Sequence, residues 1–131
     1  MIYLAHRFLI LPASLLLLSG CFATLGKLNQ LENTLRAYEG AIRWSEFELA
    51  NGFGVPGDPS PDLARLNDIA VTAYEVKAST TSKDTLEARQ TVVIDYYDKH
   101  SITQKTVTYQ QQWHYDENQK RWVVQPNLPD F

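Results

Sequence analysis

The sequence predicts an α+β fold: an N-terminal long helix and short helices packed on a curved four-stranded antiparallel meander. Three observations predict it. Apolar residues recur at three- and four-residue spacing at Leu28, Leu31, Leu35, Tyr38 and Ile42. After residue 68 the period changes to two. Between them lies a stretch dense in turn formers, Asn51-Gly52-Phe53-Gly54-Val55-Pro56-Gly57-Asp58-Pro59. Helices followed by hairpins is an α+β order, and 131 residues hold one modest core.

The first helix is predicted over 27–43. Its stripe is too short for a coiled-coil seam, so it reads as a helix lying on a sheet. Glu32–Arg36 and Glu39–Arg43 are i,i+4 pairs with the acid on the N-terminal side, worth ~0.2–0.5 kcal/mol each. Ser45 and Glu48 form a capping box that predicts a short helix over Ser45–Asn51. Ser60 as N-cap with Pro61 at the first helical position predicts another, through Asn67.

Strands are predicted over 69–81, 85–97, 102–115 and 120–125, joined by short connections that imply hairpins. Leu86, Ala88, Val92, Ile94 and Tyr96 share the apolar face of the second strand. Val107, Tyr109, Trp113 and Tyr115 share that of the third. The shortest closures place Leu86 opposite Trp113, Val92 opposite Val107, Trp113 opposite Trp122 and Tyr74 opposite Val92. The other face of the third strand, Gln104 to His114 in steps of two, is polar throughout.

This order of elements over residues 27–128 resembles the nuclear-transport-factor-2-like fold, in which a curved sheet wraps a long helix into a cone. A cystatin-like one-helix sheet is the alternative. Members of the first fold often enclose a pocket at the open end of the cone. Some are enzymes that use a pocket Asp with Tyr or His partners, as in ketosteroid isomerase. Asp95, Tyr96, Tyr97, His100 and His114 are the residue types that resemblance would use here. By strand parity Asp95, Tyr97 and His114 fall on the solvated face, and His100 falls in a turn. No catalytic residue is therefore assigned.

The N-terminal residues carry a different signal. Phe8 to Leu18 is an apolar run of eleven residues, the length of a secretory h-region. Counting on through Leu25 gives eighteen residues, so the run alone also fits an uncleaved anchor. Directly after it stands Leu18-Ser19-Gly20-Cys21, which resembles the lipobox of bacterial lipoproteins. The resemblance implies diacylglyceryl transfer to the Cys21 thiol and cleavage between Gly20 and Cys21 by signal peptidase II. The membrane lipid is then the first partner, reached through acylated Cys21. Phe22, in place of an inner-membrane Asp retention signal, implies the outer membrane, facing the periplasm. The chain accordingly divides into a cleaved signal peptide (1–20), a lipidated start and short tether (21–26) and one α+β domain (27–131).

Composition excludes several classes. After position 20 the chain holds eleven basic and fifteen acidic residues, a net charge of −4, which speaks against nucleic acid as a partner. One cysteine excludes an intrachain disulfide framework. His100 and His114 lack clustered ligands for a metal, and Gly52-Phe53-Gly54 lacks the strand and lysine of a phosphate loop. No cofactor is expected. Trp44, Gln90, Tyr109, Gln111, Trp113 and Trp122 are the candidate pocket residues, since Gln90 and Gln111 interrupt the apolar face as diagonal neighbours. The reading preferred over a pocket is that two buried amides satisfy each other or the backbone and that aromatics on a core face are core. Leu128 and Phe131 either pack back on the domain or belong to a peptide-like docking tail. The expectation is a non-enzymatic binding or scaffolding component of the cell envelope, with an unidentified envelope protein as partner. The alternative is a binder of a small apolar ligand in the cone, and an isomerase- or dehydratase-like enzyme comes behind both.

Overall fold

A computed structural model describes residues 18–131, with side chains from Gly20 onward. Apart from its last three residues, the predicted signal peptide lies outside the described residues. The element order is α1 (Leu18–Arg43), α2 (Phe47–Asn51), α3 (Leu63–Leu66), β1 (Ile69–Ser82), β2 (Glu87–Asp98), β3 (Gln104–Asp116) and β4 (Arg121–Gln125). The strands form one open antiparallel sheet in the order β1-β2-β3-β4. The α+β class and the meander are as the periodicities predict, with three helices rather than the single one of the cystatin-like alternative.

Helix α1 is already formed at Leu18, the first described residue, nine residues before position 27. Residues 21–26, expected as a tether, are its early turns. No proline interrupts 18–26, and two exposed glycines are not enough to break a helix that packing fixes further on. From Leu31 onward α1 buries Tyr38, Ala41 and Ile42 against the sheet. Glu39 and Arg43 pair at 2.9 Å, and Arg43 also donates to the Tyr74 carbonyl at 2.8 Å.

Neither short helix starts where its cap signal places it. Ser45 adopts φ +58° and its Oγ accepts from the Val71 amide at 2.9 Å, so it braces β1 instead of capping α2. Asp62, not Ser60, caps α3 by accepting from the Arg65 amide at 3.3 Å. The turn-rich segment is also more than a connection. Gly54 bridges Val124 in parallel, and the Val124 amide donates to the Phe53 carbonyl at 3.0 Å.

The inward faces hold as read from parity, but every predicted cross-strand partner moves. Trp113 faces Ala88 and Val124; Val92 faces Tyr109 and Val76; Tyr74 faces Ile94; Trp122 faces Tyr115. The hairpin turns contain no glycine. Against the predicted closures the first two are one residue longer (83–86 and 99–103) and the third keeps four residues but sits one position later (117–120); each contains a left-handed non-glycine residue, Leu86, Ile102 or Lys120, at φ 52–55°. The even slip in the β2–β3 and β3–β4 pairings preserves the buried face while changing the partners. Two irregularities in β1, at Val71/Ala73 and Val76/Ala78, offset its register and bend the strand.

Candidate functional site

Two regions carry chemistry: the start of α1, and the interior where α1 meets the sheet and the last six residues.

The first residue of α1 tied to the domain is Lys27. Its Nζ meets Glu117 at 2.8 Å and lies 4.7 Å from the Tyr115 ring centre, and its carbonyl accepts from Trp122 Nε1 at 2.8 Å. The turns before it carry no charged residue. Cys21 is exposed there, beside Phe22 at 70% and Leu25 at 54% exposure. Among the described residues no helix is long and apolar enough to cross a membrane.

Inside the domain, Gln111 is fully buried and satisfied. Its Oε1 accepts from Trp113 Nε1 at 2.8 Å and its Nε2 donates to the Tyr74 hydroxyl at 2.9 Å. Gln90 stands directly opposite Gln111 rather than diagonally, and it donates to Ser79 Oγ at 3.3 Å. The two amides therefore do not satisfy each other.

A second network joins Tyr38 and Tyr109, whose hydroxyls lie 2.9 Å apart. Tyr38 also reaches the Asn127 carbonyl at 2.9 Å, and Tyr109 reaches the Pro126 carbonyl. Burial raises the pKa of Tyr38 well above the usual phenol value, with the nearby Tyr109 adding to it. Burial likewise pushes Tyr109 up and carries Tyr74 to about 12. All three phenols stay protonated at neutral pH and act as hydrogen-bond partners, not as bases.

The six candidate pocket residues do not converge. Gln111, Trp113 and Trp122 fill the interior at 1% exposure, and Tyr38 stacks edge-on to Trp113 with ring centres 5.2 Å apart. Trp44 is 80% exposed, in a shallow depression with Arg43 and Val71–Ala73. It follows the last turn of α1, where the chain reverses, so the helical stripe no longer sets its direction. Gln90 lines an open cleft of about 460 Å³ between Leu28, Leu31 and Leu35 of α1 and the β1–β2 hairpin tip. Tyr109 lines another, of about 710 Å³, with Pro59, Pro61, Leu66 and the segment after β4. Gln111, Trp113 and Trp122 are packed as core, the other reading of that face.

The residues an isomerase-like site would need are also dispersed. Tyr96 is buried against Phe131, with ring centres 4.9 Å apart. Asp95 accepts from Thr106 on the polar face, and His100 pairs with Asp68 at 3.2 Å in a turn. Among the described residues no group of three or more His, Cys, Asp or Glu side chains is placed to hold a metal ion.

The residues that sequence reasoning missed as polar partners are Tyr38 and Tyr74. Both sit on apolar stripes, where only a buried hydroxyl needing a partner could have marked them. Compared with known protein families, curated proteins and solved structures, the chain matches none.

Proposed function

We propose that this chain is a bacterial lipoprotein, held through acylated Cys21 in the outer membrane on the periplasmic side, whose domain binds another envelope component without catalysis. The observation that carries this reading is Leu18-Ser19-Gly20-Cys21 directly behind an eleven-residue apolar run. The exposure of Cys21 on an uncharged helical stem supports it, because a modifying enzyme must reach the thiol. The peptidase must also unwind the helix around Gly20. Gly20, Cys21, Phe22 and Ala23 are exposed, so local opening there costs little. Two or more acyl chains, at ~0.8 kcal/mol per buried CH₂, hold where one does not. The buried phenols of Tyr38 and Tyr109 stay protonated, and among the described residues no His, Cys, Asp and Glu cluster accompanies them, which favours binding over chemistry.

The test is incorporation of labelled palmitate in cells. The wild-type chain takes up label and fractionates with outer membrane; Cys21→Ser takes up none and retains its leader. Label in Cys21→Ser overturns the anchor. Crosslinking in intact envelopes tests the partner: a single discrete adduct is expected, and none at any crosslinker length counts against the binding half.

A further inference from the structure

We infer that residues Pro126–Phe131 occupy a peptide-binding groove of the domain, and that the groove accepts an extended peptide of the same chemistry from a partner protein. This rests on the reading that the domain binds a partner, and it specifies what the partner presents; it is independent of the anchor.

The segment is held as a bound peptide is held. Among the described residues it makes no backbone–backbone hydrogen bond to the rest of the domain. Side chains contact its carbonyls instead: Tyr109 at Pro126, Tyr38 at Asn127 and Arg65 at Phe131, the last at 3.1 Å. Its apolar side chains are seated in turn. Leu128 and Pro129 are buried, and the Phe131 ring lies edge-on to Phe47 and Tyr96 at 5.1 and 4.9 Å between centres. Asp130 between them faces solvent. The recognition pattern is two consecutive carbonyl acceptors, an aliphatic residue, and an aromatic three positions further on.

Two features make the seat exchangeable. Each phenol carries one proton, yet Tyr38 and Tyr109 take part in three short contacts, with each other and with two carbonyls. One contact always lacks a proton. In addition, Asn127 Oδ1 is buried with no partner, although its Nδ2 donates to Asn51 Oδ1 at 3.2 Å. Beside the segment the cleft of about 710 Å³ gives an incoming chain room to start.

The probe is a fluorescein-labelled peptide, Gln-Pro-Asn-Leu-Pro-Asp-Phe, followed by anisotropy. In the intact chain the tethered segment competes at millimolar effective concentration, so binding is weak. The full chain carrying L128A/F131A has a weakened competitor and is expected to bind at least about tenfold more tightly. A chain ending at Gln125 removes the competitor and is expected to bind as well. The same peptide with Leu and Phe replaced by Ala is expected not to bind either variant. Equal affinity for the intact and L128A/F131A chains overturns the inference, as does a folded Gln125-ended chain that ignores the peptide. Loss of cooperative folding in both variants overturns it too, because the segment would then be a fixed part of the core. Failure here with a discrete envelope adduct would leave a partner that binds elsewhere.

Discussion

Gln111→Leu tests whether the buried amide is a structural clasp. The substitution keeps roughly the same volume, so the cavity contribution is small. It removes the acceptor of Trp113 Nε1 and the donor to the Tyr74 hydroxyl, both inside the core. An orphaned buried donor costs about 1–3 kcal/mol, and the second lost hydrogen bond adds about 1 kcal/mol. The expected destabilisation is therefore about 2–4 kcal/mol. At roughly 4–8 °C per kcal/mol for a domain near this size, Tm falls by at least about 8 °C. Urea unfolding followed by tryptophan emission measures it, with an unchanged slope expected. Tyr74→Phe completes a double-mutant cycle. Alone it strips Gln111 Nε2 of its acceptor; combined with Gln111→Leu it removes a hydroxyl already without that partner. Coupling above about 0.5 kcal/mol is expected. A loss below about 0.5 kcal/mol for Gln111→Leu, or strict additivity, refutes the clasp.

Tyr74 is held to about 12 by burial, against 10.0 for the free phenol, so the folded chain keeps its proton more tightly than the unfolded one. Its contribution is complete below pH ~10 and is lost as pH rises through ~12, a drop of about 3 kcal/mol. Tyr38 and Tyr109 add in the same direction. Urea midpoints at pH 8, 10 and 11 should fall, and Tyr74→Phe should flatten the decline. Gly54→Ala would set a Cβ 2.3 Å from Asn127 Cγ. Overpacking of this kind costs about 1–3 kcal/mol by calorimetry, and it should loosen the peptide seat as well. Trp44 is the exposed tryptophan, with Trp113 and Trp122 buried. Iodide should therefore quench only one component of the emission, and Trp44→Phe should remove that component with a stability change within about 0.5 kcal/mol.

The elements were legible because periodicity reports burial. Alternation named the inward faces of β2 and β3, down to the two polar residues that interrupt them. Cross-strand partners were not legible, because the length and placement of the turns set them, and these turns rely on left-handed Leu86, Ile102 and Lys120 instead of glycine. Short-range cap signals misled where a tertiary partner competed for the same atom. The Ser45 hydroxyl serves the Val71 amide, a partner 26 residues away. The candidate site was half legible for a related reason. A glutamine on an apolar face announces a buried amide, whereas Tyr38 reads as one more member of an apolar stripe until its hydroxyl meets Asn127 and Tyr109.

The two proposals are linked by the length of α1. Seventeen residues separate Cys21 from Tyr38 on one unbroken helix, a rise of about 26 Å at 1.5 Å per residue. A flexible tether would let the groove approach the lipid surface in any orientation. A helix fixed to the domain at Lys27, through Glu117, Tyr115 and Trp122, instead holds the β3–β4 turn near the anchored end. With Cys21 as the proposed anchor, the seat at Tyr38 and Tyr109 lies toward the other end of α1, about 26 Å along the helix. Breaking that rigidity gives a discriminating experiment: replacing Thr24 and Leu25 with glycine leaves lipidation and peptide affinity unchanged, because neither residue touches the groove. It should nevertheless broaden the distribution of distances between the bilayer and a spin label near residue 128. An unchanged distribution would mean that the stem does not set the height of the groove.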